Sequence, residues 1–318
     1  MRILITSLGS TAAQGLAWAL RVDSRRTWHV IGADLREEPP GLDLVDRVER
    51  IPAGADSSYP DAIAALVARH SVRIVVPVME PELASLAAEH ARLAGLGAIL
   101  LAPGPAAVEA AGSKRLLHRT LTGLGLTAPP VSPAGTLPRF PAFVRPDRGT
   151  GSRGALRVDD ADQLEEALRG RTDLVVTPWV DGTPYSIDGF AFPEGRLVHA
   201  IRRRRDEVRG GLVVRSEVVP LHPYRERVEH LCQGLSIRGF FNLQVIEDRR
   251  GDAWFHDLNP RLGGGMALSF SAGLDAPGYL EAISRGEEPP AGGSEAVGTR
   301  LVRRWHNTVL APRTVSPG

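Results

Sequence analysis

The sequence predicts an α/β domain built on a parallel sheet, followed by an α+β body, and three observations carry that expectation. Short apolar runs at 3–5, 29–33, 74–78 and 98–101 alternate with helical patterns near 11–21, 61–70 and 82–93. That order suits parallel strands joined by helical crossovers. The texture then changes at Pro103-Gly104-Pro105, and a stretch rich in Pro, Gly and Thr runs from about 125 to 141, as a domain boundary and an entry loop would. Beyond it strands and helices no longer alternate strictly. Helices are expected at 161–169, capped by Asp159 or Asp160, and at 223–235, with strands at 241–247 and 253–258 on either side of Arg250-Gly251-Asp252.

Length and charge bound the rest. With 318 residues the chain can hold two or three compact units. Its 38 basic and 37 acidic residues nearly cancel, to a formal +1, so overall charge gives no reason to expect a nucleic-acid partner, and any phosphate chemistry must be local. The one cysteine, Cys232, has no partner within the chain; it falls on an apolar helical face with Val228, Leu231 and Leu235 and is expected in the core. Met1 opens directly into a strand-like run, and no stretch is long and apolar enough for a bilayer. The expectation is a cytoplasmic protein with no membrane partner, and a homodimer is the default for such an enzyme.

After the first strand come Gly9 and Gly15, with Asp34 closing the second. A dinucleotide fingerprint needs G-x-G-x-x-G, and the glycine that lets a pyrophosphate approach the backbone is missing. Gly9 is therefore read as serving a tight turn and Asp34 as a polar strand end.

The richest segment runs from Pro141 to Val158, where 149–154 is formally G-x-G-x-x-G: Gly149, Thr150, Gly151, Ser152, Arg153, Gly154. A strand-like run follows it rather than a helix, which favours a glycine-rich hairpin folding over a ligand. Glycines there bring backbone N–H groups to phosphate oxygens without obstruction. Arg145 precedes the loop on a strand, and Lys114 sits at the domain boundary; two cations flanking such a loop suit a triphosphate. A plain hairpin with solvated charges is the competing reading.

The second segment is Phe241 to Glu247, a turn, then Trp254 to Gly265. On a hairpin, Gln244 from one strand and Asp257 with Asn259 from the other share a face. One carboxylate and two amide carbonyls are hard donors suited to Mg²⁺, and Arg261 follows at the same parity, within reach of a γ-phosphoryl group. A plain turn at 257–260 is the alternative. His256 has the opposite parity and no second His or Cys at zinc-ligand spacing, so it is read as structural. Arg202-Arg203-Arg204-Arg205 and then Arg209 form the densest positive charge. Alternation sends Arg203 and Arg205 to one side, where an anion such as a carboxylate could bind; a solvated loop or an RNA contact is the competing view.

In this order the pieces resemble the ATP-grasp superfamily, and within it ligases similar to one half of the carbamoyl-phosphate synthase large subunit. The resemblance implies an α/β pre-ATP-grasp domain at 1–112, a first ATP-grasp subdomain with the glycine loop at 113–180, and a second with the metal site at 181–318. It implies ATP and Mg²⁺ as cofactors. Lys114, Arg145, Gly149, Thr150, Gly151 and Ser152 would then handle phosphates, and Thr177, Trp179 and Val180 would lie along the hinge that holds adenine through backbone groups. Gln244, Asp257 and Asn259 would hold metal, and Arg205, Arg209 and Arg261 would serve catalysis. The sequence departs from its relatives at Pro178 and Pro184, where glutamates often grip the nucleoside, and at Asp257, where glutamate is usual. The implied reaction joins a small-molecule carboxylate to an amine through an acyl phosphate, releasing ADP and phosphate. The alternatives are a bicarbonate-using carboxylase or carbamoyl-phosphate-like enzyme, and a non-catalytic ATP-binding module.

Overall fold

The computed structural model describes residues 1–133, 136, 138–149, 154–293, 296–304 and 308. The first third forms a five-stranded, wholly parallel sheet of β1 (Arg2–Ile5), β2 (His29–Asp34), β3 (Arg47–Arg50), β4 (Ile74–Val76) and β5 (Ile99–Leu100), in the order β3-β2-β1-β4-β5. Four of these strands are apolar runs visible in the sequence. β3 is not, because Arg-Val-Glu-Arg carries no buried residue and lies at the sheet edge. The helical pattern at 82–93 resolves into two helices, Glu80–Leu86 and His90–Gly95, so that Leu83, Leu86 and Leu93 all enter one core.

Gly9 and Asp34 act together. The Gly9 N–H donates to Asp34 Oδ2 at 2.8 Å, fixing the turn after β1. Gly15 has a different use: a Cβ there would stand 3.0 Å from the Ala267 Cβ, because the helix Thr11–Val22 lies directly on the helix Met266–Ser271 of the second half of the chain. One apolar core accordingly joins Ile3, Ile5 and Leu16 of the first domain to Phe190, Ile201, Val218 and Met266 of the second.

The remainder contains two antiparallel sheets. The smaller holds β6 (Ala142–Pro146), β7 (Leu156–Val158) and β8 (Leu174–Pro178) in the order β7-β6-β8. It is backed by the helix Ala161–Leu168, whose Asp160 cap accepts from the Gln163 N–H. The larger holds β9 (Gly182–Ala191), β10 (Leu197–Arg209), β11 (Leu212–Val219), β12 (Gly239–Asp248), β13 (Ala253–Asn259) and β14 (Arg300–Val302), ordered β13-β12-β9-β10-β11-β14. Cys232 is buried in the helix Arg225–Gly234 among Val228 and Leu231, and burial pushes its thiol up. Among the described residues no helix is long and apolar enough to cross a membrane.

Strand alternation divides the four arginines of β10 between two environments. Arg202 stacks over the rings of Tyr185 and Tyr224, 3.8 and 4.2 Å from their centroids, and pairs with Glu247. Arg204 pairs with Asp206 and Glu217 nearer the surface. Arg203 points to the opposite face and is wholly buried against the wholly buried Asp188. Its remaining donors go to Ser269 Oγ at 2.7 Å and Ser216 Oγ at 3.0 Å, while Asp188 also accepts from Asn242 Nδ2 at 2.7 Å. Replacing Arg203 by Met leaves a buried carboxylate without its counter-charge, which costs about 3–5 kcal/mol. We expect a correspondingly lower urea midpoint for Arg203→Met; an unchanged midpoint would show that the pair does not hold the sheet together.

Candidate active site

The face of the large sheet that carries Arg203 is polar from edge to centre. Antiparallel register sets Asn242 opposite Asn259 and Gln244 opposite Asp257, with Asp188 and Ser186 of β9 completing the two rows. The register slips between Gln244 and Val245, so that Val245 faces Phe255 and His256 becomes the extra residue of a bulge. The bulge gives the His256 carbonyl to Arg145 rather than to the ladder: Arg145 Nη2 donates to it at 3.0 Å.

Two elements bring cations to this face. The helix Lys114–Gly123 buries Lys114, Leu117, His118 and Leu121, one stripe at helical spacing. Its start is fastened to the end of β6, where the Lys114 N–H donates to Asp147 O at 2.9 Å and the Arg115 N–H to Asp147 Oδ1 at 2.8 Å. Lys114 and Arg145 thereby converge on β13. The Lys114 ammonium donates to Asp257 Oδ1 at 2.5 Å. From β10, Arg205 Nη1 donates to Gln244 Oε1 at 2.9 Å.

Charge is unbalanced here. Asp257 feels burial most strongly, which favours the neutral acid, but the Lys114 ammonium together with the other cations around it outweighs burial and holds its carboxyl below the usual range. Arg145 and Arg205 have no carboxylate at ion-pair distance among the described residues, and each keeps a buried Nε without a hydrogen-bond partner. Burial lowers the affinity of both guanidinium groups for their proton. Burial also pushes His256 down to about 3, with Arg145 and Arg205 adding to it against the pull of Asp257, so the ring is neutral.

Arg261, just beyond β13, donates through Nη2 to Asn259 Oδ1 and to Glu80 Oε1, both at 3.0 Å, and its buried Nε has no partner. Glu80 begins the helix that follows β4. Sheet order reverses between β1 and β4, and ligands of open parallel sheets bind outside the strand ends at such a point. The Arg261–Glu80 pair therefore closes the gap between the first domain's switch point and the large sheet.

The remaining predicted residues are more scattered. Gly149 adopts φ +143°, a left-handed value suited to glycine; Thr150, Gly151 and Ser152 lie outside the described residues. Thr177 is buried in β8, and Val180 is half-buried. Trp179 is exposed, edge-on to Phe143, with the Arg157 guanidinium 5.3 Å above its ring. Arg209 projects from the far end of β10 and pairs with Glu207 of its own strand, so it is not gathered with Arg205. Beside Glu80, the structure adds His118, Asn242 and Asp188 to the site. His118 stands four residues after Lys114, a spacing that sets both on one helix face; Asn242 and Asp188 depend on long-range pairing that carries no local signal.

The donors proposed for a metal fit magnesium chemically. Among the described residues no three His, Cys, Asp or Glu side chains gather into an all-protein site, whereas Asp257, Gln244 and Asn259 offer one carboxylate and two amide oxygens. Mg²⁺ is commonly held by one or two carboxylates together with ligand phosphates and water. Each of the three oxygens accepts from a cation, Lys114, Arg205 and Arg261 respectively.

Comparison with known proteins bears on the family and the fold. Residues 170–302 match the family described as ATP-grasp in the biosynthetic pathway with Ter operon, and residues 3–101 match the PylC-like N-terminal domain. The chain carries an ATP-grasp domain. The ATP-grasp fold extends through most of the chain, since solved structures also cover the stretch between the two matches. An L-amino acid ligase from Bacillus licheniformis aligns at TM-score 0.67 and 18% identity over 86% of this chain and 70% of its own. N5-carboxyaminoimidazole synthetase from Staphylococcus aureus, complexed with ADP, aligns at 0.70 and 15% over 91% and 78%. Biotin carboxylase from Campylobacter jejuni aligns at 0.69 and 16% over 94% and 74%. No curated protein matches the sequence.

The Lys114 ion pair occupies the only carboxylate of the proposed donor set, and a divalent ion without nucleotide has to displace it. Lys114→Met is expected to bind Mn²⁺ alone at least about tenfold more tightly than the unaltered protein, since a neighbouring positive charge is removed from the site. Electron paramagnetic resonance of free Mn²⁺ measures this; equal affinities would show that Lys114 does not shield Asp257.

Proposed function

We propose that the protein is an ATP-dependent carboxylate–amine ligase that works through an acyl phosphate and releases ADP and phosphate. The observation that carries this reading is the pair of half-buried guanidinium groups near Asp257, Arg145 and Arg205, which have no carboxylate partner at ion-pair distance among the described residues. Unpaired buried cations cost stability, and a bound polyanion removes that cost. Relatives of the same fold are a ligase of amino acids, a synthetase complexed with ADP and a biotin carboxylase, which supports nucleotide as that polyanion.

In this mechanism Lys114 and Arg145 bind phosphate oxygens from the helix and β6, and Arg205 approaches from β10. Asp257, with Gln244 and Asn259, would hold Mg²⁺, which would supply neutralisation of phosphate charge. Arg261, at the mouth of the switch-point crevice, orients the acid so that one carboxylate oxygen meets the γ-phosphorus in line. The phosphorus–oxygen bond to ADP breaks as the bond to the carboxylate oxygen forms. An amine then attacks the acyl carbon, phosphate leaves, and the amine gives up a proton. No side chain forms a covalent intermediate. The protein contributes position and fixed positive charge, which dominate phosphoryl transfer. The carboxylate and amine are proposed to be small molecules that reach the site through the crevice beside Glu80 and Arg261.

Purified protein with ATP, Mg²⁺ and a panel of carboxylic acids is expected to release ADP and phosphate when an amine is present. Arg205→Met should lower kcat/KM by about 100-fold or more, the scale on which charge stabilisation of a transition state is lost. AMP and pyrophosphate as products would contradict the acyl-phosphate route. ADP release that needs bicarbonate and no other acid would assign the protein to carboxylation, and nucleotide binding with no turnover of any acid would make it a binding module.

A further inference from the structure

One buried group near the site has no part in the proposed chemistry. His118 lies in the helix Lys114–Gly123, is 3% exposed, and touches neither Asp257 nor any of the proposed metal donors through a hydrogen bond. Its Nδ1 stands 2.7 Å from Pro129 O, and its Nε2 stands 2.9 Å from Arg145 Nη2. A carbonyl oxygen only accepts and a guanidinium only donates. The two contacts together therefore require one tautomer: Nδ1–H donates to Pro129, and the bare Nε2 accepts from Arg145. The longer approach of Nε2 to His256 O, 3.3 Å, is then a contact between two acceptors that share the Arg145 Nη2 donor, which also reaches His256 O at 3.0 Å.

We infer that His118 is the positioning residue for Arg145, an acceptor that aims the guanidinium at the ligand without neutralising it. This rests on the reading of Arg145 as a phosphate-binding group. An arginine on a strand has long rotamer freedom, and fixing it costs up to about 2 kcal/mol of side-chain entropy. Asp or Glu at position 118 would fix it too, but would also cancel its charge and compete with phosphate for its donors. A neutral imidazole does the first without the second. Among the described residues Arg145 donates only through Nη2, to His118 and His256, and its ring contact is with Phe143, 5.8 Å from the guanidinium carbon. Nη1 makes no hydrogen bond among the described residues and is the terminal nitrogen left for the ligand, and the buried Nε is unpartnered as well.

The helix that carries His118 also carries Lys114, so the same rigid element supplies one phosphate-binding cation and orients the other. Pro129, which fixes the tautomer, belongs to the loop that leads from this helix toward β6. Position 118 thereby ties helix, loop and strand to a single direction of the Arg145 side chain.

The test is ADP binding by titration calorimetry in five variants of the full chain, each first shown to keep the parent melting temperature within a few degrees. His118→Gln retains a neutral acceptor and should bind within about threefold of the parent, while His118→Leu should bind about tenfold more weakly, the size of one charge-assisted hydrogen bond's ordering effect. His118→Glu should bind more weakly still. In an Arg145→Met background, substitution at 118 should have no further effect, because the group it positions is gone. Equal loss for Gln and Leu, or the same His118→Leu loss with Arg145 already removed, would overturn the inference and make His118 a packing residue. Failure of the unaltered protein to bind ADP at all would instead overturn the reading of Arg145 on which the inference rests.

Discussion

The structure depends on an excess of positive charge gathered about one carboxylate. Lys114, Arg145 and Arg205 reach Asp257, the His256 carbonyl and Gln244 from a helix, a strand of the small sheet and a strand of the large one. Self-repulsion among buried cations is unfavourable unless the scaffold is stiff or an anion is present. Both conditions shape this fold. The Arg203–Asp188 pair, with two serines and Asn242, locks the centre of the large sheet directly beneath the site. The neutral ligands of Arg145 leave its charge for what binds above.

Stiffness on one side is matched by a seam on the other. The first domain shares an apolar core with the large sheet, and Gly15 lets two helices meet at backbone distance. The polar part of that seam is the Arg261–Glu80 pair at the switch point of the parallel sheet. That pair sets one domain's carboxylate against the other's guanidinium, and Lys114, Arg145 and Arg205 are the cations proposed to bind phosphate. In the proposed reaction, binding, orientation and charge neutralisation are distributed over a helix, a strand of the small sheet and a strand of the large one.

Much of this was legible in the sequence, for identifiable reasons. The parallel sheet declared itself through apolar runs at β1, β2, β4 and β5, whereas β3, an edge strand with no buried residue, had no such signal. Strand parity placed Gln244, Asp257 and Asn259 on one face, and the observed register sets Gln244 opposite Asp257. Parity also grouped Arg203 with Arg205, yet it could not show that Arg203 is consumed by Asp188, a partner fifteen residues away on the neighbouring strand. Arg209 shared their sequence neighbourhood but not their surroundings, since β10 outruns the site and leaves it with Glu207. The pairing of each proposed metal donor with a cation is set by tertiary contacts. Local pattern fixes which face a side chain takes, and tertiary pairing decides whether its charge is free.

The most direct measurement is a crystal structure with ADP and Mg²⁺ bound. The account predicts phosphate oxygens on Arg145 and Arg205, the metal on Asp257, and the Lys114 ammonium moved from Asp257 to phosphate. A nucleotide bound elsewhere, or phosphates that leave the Lys114–Asp257 pair closed and the two guanidinium groups without an anion, would contradict it.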